Sequence, residues 1–182
     1  MKKAFSVLTA LLFISILTCA FSPHPGMEEP IIEIKTIQPF SYCCIPHKGP
    51  FTDIQSVIAQ LYSSVQGQNI PPAGGMVGIY YNSPEDTEPQ DLEWDMGFPC
   101  DAHVSPLQPL QRKIWSFTQV ASAVHSGSYE TTGETYMVIF EWLEANGMEP
   151  AGPVLERYLT MPTPDTNPED MRTEIWVPFQ KK

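Results

Sequence analysis

The chain is short of positive charge. Its 182 residues hold 10 lysines and arginines against 21 aspartates and glutamates, a formal net charge of −11. A surface that acidic repels phosphate backbones and argues against a nucleic-acid partner. No basic helix, zinc-finger spacing or helix-turn-helix is written in the sequence. Cysteine is scarce as well: setting aside Cys19 near the start, Cys43, Cys44 and Cys100 are left. An odd number closes no disulfide framework. Cys43 and Cys44, adjacent on a strand, point to opposite faces and do not pair with each other, whereas Cys100 can reach one of them; packing as small hydrophobes is the simpler reading. Also lacking are a nucleophile elbow, a zinc-protease helix motif and a phosphate-cradling loop, since Gly74-Gly75 is not followed by Lys-Ser/Thr. Metal, nucleotide and catalytic-triad chemistry are therefore unsupported, and no cofactor is expected. Charged residues make up only 17% against 42% hydrophobic, which argues against disorder and for one domain with a sizeable core.

One long apolar run is present, residues 4–17 after Lys2-Lys3. It is too short for a comfortable membrane span and reads as an export signal over 1–20, with Thr18-Cys19-Ala20 as a cleavage site. Ile16-Leu17-Thr18-Cys19 also resembles a lipoprotein box, in which Cys19 would carry a lipid anchor. Removal of the two lysines would take the net charge from −11 to −13. Residues 21–30, with three prolines and a glycine, form a flexible leader. The mature domain, 31–180, is expected to insert in no membrane.

What is there in abundance is repetition. His47-Lys-Gly49-Pro-Phe51, Pro72-Ala73-Gly74, Tyr80, Pro89-Gln-Asp91, Asp95 and Phe98-Pro99 recur about eighty residues later. The second copy reads His125-Ser-Gly127-Ser-Tyr129, Pro150-Ala151-Gly152, Tyr158, Pro168-Glu-Asp170, Glu174 and Val177-Pro178. Two long copies imply two similar halves, 31–100 and 107–180, about a pseudo-two-fold axis with a cleft where they meet. Residues 101–106 read as the linker.

Each half is expected to be β-α-β-β. Alternation at Ile32, Ile34 and Thr36, then 40–46, opens the first; 112–124 plays that part in the second. Ile54, Val57, Ile58, Leu61 and Val65 lie on one helical face ending at Gly67; Tyr136, Ile139, Phe140 and Leu143 do so before Asn146-Gly147. Thr52–Gln55 and Thr131–Glu134 have capping-box spacing. Strands at 77–81 and 92–98, and at 154–159 and 172–178, complete the halves. Helices on one side of a mostly antiparallel sheet give an α+β fold.

Asp95 and Glu174 occupy equivalent positions on the last strands, amid apolar neighbours, and Tyr80 matches Tyr158. A strand acid facing a cleft needs solvation or a counter-charge, which a cationic ligand would supply, and aromatic faces would add cation–π attraction. The same acids would serve as ordinary solvated strand residues, and most aromatics in any domain are core. Parity places Glu174 with Trp176, and Gly78 with Tyr80. Tyr136 is either core or cleft wall. His47 and His125, each two residues before a glycine, read as a turn requirement rather than catalysis, with no partner at metal-ligand spacing.

In these motifs, and in Thr173-Glu174-Ile175-Trp176-Val-Pro178, the chain resembles the GyrI-like small-molecule-binding family, related to effector-binding domains of AraC-type and MerR-type bacterial multidrug regulators. The resemblance implies a duplicated unit with a ligand groove between halves. It also implies a bulky apolar or cationic ligand and a last-strand acid, here Glu174, as the main polar contact. Trp176, Tyr80, Tyr158, Asp95, Tyr136 and Tyr42 are the further candidate contacts. Some relatives hydrolyse strained, alkylating compounds, so a second reading makes Glu174 a general base with Tyr80 or Tyr158 donating a proton. A third makes the acidic surface a docking face for a basic protein.

Overall fold

A computed structural model of the chain describes residues 30–161, 163 and 165–182. The export signal and most of the leader lie outside those residues, so the reading of 1–20 concerns a segment the structure does not describe. The first half holds β1 (Glu33–Thr36), β2 (Phe40–Lys48), α1 (Ile54–Gly67), β3 (Val77–Tyr80) and β4 (Glu93–Pro99). The second holds β5 (Gln111–Trp115), β6 (Gln119–Ser126), α2 (Thr132–Ala145), β7 (Met148–Pro150), β8 (Val154–Tyr158) and β9 (Arg172–Lys181).

Among the described residues nine strands form one open antiparallel sheet in the order β1-β6-β9-β8-β3-β4-β2-β5, with β7 paired to the end of β9. The pseudo-two-fold axis passes between β3 and β8, which pair Val77 with Arg157, Gly78 with Glu156 and Tyr80 with Val154. The expected β-α-β-β half is corrected at its opening. Residues 112–124 are not one segment but β5 and β6, separated at 116–118. Each leading strand crosses over: β1 pairs with β6 of the other half, and β5 with β2. Local alternation marks a strand but carries no information about which neighbour it joins.

Both helices pack on one face of the sheet. Val57, Leu61 and Val65 of α1 are buried over Trp94, Met96 and Phe98. Ile139 and Leu143 of α2 are buried over Ala121, Ala123, Ile175 and Val177. Each such aliphatic side chain removed from water contributes about 1.5–3 kcal/mol. The opposite face carries its own cluster of Val77, Ile79, Leu155, Trp115 and Trp176, partly covered by Ile37 and Phe117 from the two crossover connections and by Phe40 at the start of β2. No helix among the described residues is long and apolar enough to cross a membrane.

The histidine turns do the work expected of them. His47 Nε2 lies 3.0 Å from Asp53 Oδ2, and His125 contacts Ser128 O and Thr131 Oγ1 at 3.0 and 3.1 Å. Each imidazole ties a strand end to the 3-10 turn that starts the next helix. Gly49 and Gly127 follow at φ +151° and +137°, where a Cβ would come within 2.8 and 3.2 Å of the same imidazoles. The capping boxes do not form: Thr52 lies inside the 3-10 turn, and the Thr131 hydroxyl donates back to Ser128 O. The imidazoles already order these turns. Cys43, Cys44 and Cys100 are buried and form no disulfide among the described residues, with Cys43 and Cys100 sulfurs 2.8 Å apart.

Candidate ligand-binding site

Strand alternation sends Val154, Glu156 and Tyr158 of β8 to the helix face, and Gly78 and Tyr80 of β3 beside them. Glu156 is only 6% exposed. Tyr136, from α2, donates to its Oε1 at 2.7 Å, and Tyr80 donates to Oε2 at 3.4 Å. The Tyr80 and Tyr158 hydroxyls are 2.8 Å apart. None of the ion pairs among the described residues includes Glu156. Burial raises its carboxyl above the usual range, and hydrogen bonds from Tyr136, Tyr158 and Tyr80 offset only part of that rise. Desolvation, then the adjacent carboxylate, pushes all three phenols well above their ordinary value, so they stay protonated donors.

The cluster is asymmetric across the pseudo-axis for a steric reason. Gly78 occupies the position in the first half that Glu156 occupies in the second. A Cβ at Gly78 would stand 2.8 Å from the Tyr158 hydroxyl and 3.0 Å from the Tyr80 ring. One half supplies the carboxylate, and the other supplies the room for two phenols to reach it. Two equivalent edge-on aromatic pairs flank the acid, Phe51 with Tyr80 at 5.5 Å and Tyr129 with Tyr158 at 5.4 Å. Tyr136 stacks on Phe140, which is 39% exposed. The result is an aromatic surface between the helices with a buried acid beneath it.

Glu174 is placed otherwise. It lies on the opposite face, on a pocket of about 390 Å³ lined by Lys35, Ile37, Phe40, Val77, Pro99, Arg157 and Trp176. Lys35 donates to its Oε1 at 2.8 Å, Ser122 to the same oxygen at 3.1 Å, and Arg157 to Oε2 at 2.6 Å. Burial alone would raise this carboxyl, yet it is held below its usual value. The Lys35 hydrogen bond, the nearby Trp176 indole and the Arg157 charge together prevail. The counter-charge that the sequence reading looked for in a cationic ligand is supplied at Glu174 by the protein itself, twice. Arg157 also lies over the Trp176 ring, 5.0 Å from its centroid.

Asp95 is neutralised in the same way. Lys113 reaches both carboxylate oxygens at 2.8 Å, and Tyr42 and Tyr81 donate at 3.2 and 2.7 Å. Lys35 and Lys113 are repeat equivalents on the two exchanged strands, so each half neutralises the acid of the other. The sequence-expected contacts thus divide: Glu174 with Trp176, Asp95 with Tyr42, and Tyr80 with Tyr158 and Tyr136. The first two groups lie on the face away from the helices. Tyr80 and Tyr158 are on the other face from Glu174, which rules out their donating protons beside it.

Sequence reasoning missed Glu156 because the repeat pattern favours positions that match in both halves, and this one does not. The available signal was a strand acid two residues before Tyr158 and in repeat register with a glycine. No group of three or more metal-ligating side chains is assembled among the described residues.

The model of a GyrI-like small molecule binding domain matches residues 19–180. The chain is similar to EcmrR in its complex with DNA, at 13% identity and TM-score 0.75, covering 85% of this chain but 59% of that one. Against the isolated EcmrR C-terminal domain, identity is 14% and the TM-score 0.73, covering 84% of this chain and 99% of that one. A Listeria innocua hydrolase encoded by lin2189 shares 13% identity at TM-score 0.60, over 82% of this chain and 91% of its own. SAV2435, in a structure bound to tetraphenylphosphonium, shares 12% at TM-score 0.52, over 82% and 94%. No curated protein sequence matches.

Proposed function

The chain belongs to the GyrI-like small-molecule-binding domain family, and from that premise we propose that it binds a bulky apolar or cationic compound on the helix face of the sheet, with Glu156 as the main polar contact. The observation that carries this is a carboxylate buried among three phenols with no cation beside it. An ionised acid so placed costs several kcal/mol of desolvation, which a lipophilic cation entering the site would recover. Tyr80, Tyr136, Tyr158 and Tyr129 offer ring faces for cation–π attraction, about 0.5–2 kcal/mol each when desolvated. A similar fold bound to tetraphenylphosphonium in SAV2435 supports the ligand class. Since Glu156 is covered, ligand entry requires the flanking tyrosines to swing aside. The leading role expected of Glu174 passes to Glu156 because Lys35 and Arg157 already satisfy Glu174.

The experiment is a fluorescence titration with tetraphenylphosphonium. Glu156→Gln should weaken binding at least tenfold, about 1.4 kcal/mol. Affinity for the wild type should also rise as pH passes upward through the raised Glu156 pKa, because the anion is the binding form. Saturable binding unaffected by Glu156→Gln would overturn this reading. Export of the domain belongs to the same proposal and rests on the charged and apolar pattern of 1–20; an intact mass of the mature protein lacking that segment checks it.

A second reading is hydrolysis of strained or alkylating compounds. It is favoured by an acid with a raised pKa hydrogen-bonded to phenols, a pairing suited to a general base and a proton donor. Glu156 would activate water, and Tyr80 or Tyr158 would protonate the leaving atom. Product formation that Glu156→Gln abolishes would establish it, and a rate equal to buffer would reject it.

A further inference from the structure

The pocket on the face away from the helices has no role in that reading, and its chemistry is of the opposite sign. Its lining sets two cations, Lys35 and Arg157, against one carboxylate, Glu174. A further acid, Glu33, touches Lys35 at 3.4 Å but is 62% exposed at the rim. Arg157 spends one donor, Nη1, on Glu174, and has no other hydrogen bond among the described residues. Its guanidinium presents five N–H donors in a planar fork, and its side chain is 43% exposed at the pocket, so donors are left for an incoming acceptor. The buried Trp176 indole N–H completes no hydrogen bond of good geometry among the described residues, and the Glu174 carboxylate, which it helps to keep ionised, is its loose neighbour. A buried donor so loosely paired is unfavourable, and an acceptor arriving in the pocket would improve its pairing. Ile37, Phe40, Val77, Pro99 and the Trp176 ring make the rest of the wall apolar.

We propose that this pocket is a second binding site, for a small amphipathic organic anion with a planar carboxylate head and an apolar body. The carboxylate takes the free edge of the Arg157 guanidinium, with Lys35 beside it and the Trp176 N–H as a further donor. Its apolar body rests on Phe40, Val77 and Pro99. The volume of about 390 Å³ suits a bicyclic aromatic acid. The Glu174 charge then opposes the incoming anion, while the side-chain oxygen that Glu174→Gln keeps can still accept from Lys35 or Arg157. The repeat-equivalent place in the other half cannot do this, because Ile79 stands there for Arg157 and Gly97 for Trp176. Asp95 there is closed over by Tyr42 and Tyr81.

The test is calorimetric titration of the full chain with 2-naphthoate. Wild-type protein should bind it saturably at one site. Arg157→Gln should weaken that binding at least tenfold while leaving tetraphenylphosphonium binding as it was, which also reports that the variant is folded. Glu174→Gln should strengthen naphthoate binding several-fold, since the opposing charge is gone and both cations stay. That gain separates a binding role from a structural one, because loss of a purely structural group would weaken binding. Absence of saturable naphthoate binding, indifference to Arg157→Gln, or weaker binding in Glu174→Gln would each overturn the proposal. None of these outcomes bears on Glu156, whose own test uses the cationic probe.

Discussion

Glu156 and Glu174 sit on paired strands one register step apart: Glu156 faces Ile175, and Arg157 faces Glu174. Their side chains are about equally hidden, at 6% and 5% exposure. They nevertheless behave oppositely. One step along a strand turns a side chain to the other face. On the helix face Glu156 meets phenols, and on the far face Glu174 meets a lysine and an arginine. Burial raises the first carboxyl, whereas the cations hold the second below its usual value despite burial. Surface exposure alone therefore does not mark a binding acid: burial prevails at Glu156, and the partners already present prevail at Glu174. An acid with two cations is a finished structural unit. An acid with only hydroxyl donors still lacks a counter-charge.

The two lysine–acid bridges give the largest lever on this contrast. Lys113→Met leaves Asp95, 1% exposed, with two tyrosine hydroxyls and no cation, and should cost about 2–3 kcal/mol in urea unfolding. Lys35→Met leaves Glu174 with Arg157 and should cost about 1 kcal/mol or less. Equal losses would mean that the bridges are not distinguished by their remaining partners.

Next in size is Gly78→Ala, whose new Cβ would stand 2.8 Å from the Tyr158 hydroxyl. Displacing that buried phenol should cost about 1–2 kcal/mol and weaken the cationic probe as well. Unchanged stability and affinity would show that the glycine is not needed to seat the phenols.

The smallest effect is the most diagnostic. Glu156 has a folded pKa above its unfolded value, so it binds its proton more tightly when folded. Its contribution becomes more favourable as pH falls from neutral through the raised pKa, and reaches its limit below the unfolded value. Glu174 has a lowered folded pKa, so its stabilisation is present above the unfolded value and is lost as pH falls through the folded one. Stability profiles between neutral pH and pH 3 should therefore change in opposite senses. Glu156→Gln should remove an acid-side gain, and Glu174→Gln an acid-side loss. Profiles that shift in the same direction would break the comparison.

Much of the fold was legible in the residues. The helical faces at Val57-Leu61-Val65 and Ile139-Leu143 are buried as their spacing requires, and Gly67 and Asn146-Gly147 mark the helix ends. The histidine turns followed from the repeat. The exchange of β1 and β5 did not, because strand pairing is a non-local choice that alternation cannot encode. The match of Lys35 with Lys113 went unread in the sequence, because without the exchange nothing linked either lysine to the acid of the opposite half.

The sequence by itself determined the duplicated α+β halves, the acidic and aromatic character, and which residues share a strand face, since these depend on local periodicity and composition. Only the tertiary structure decided which acid meets which partner. The crossover of two edge strands delivers a lysine to Asp95 and another to Glu174, while the antiparallel junction at the pseudo-axis places Gly78 against Glu156 and gathers the phenols there. Those contacts join residues far apart in the chain, and electrostatic energy depends on distance in space rather than along the sequence.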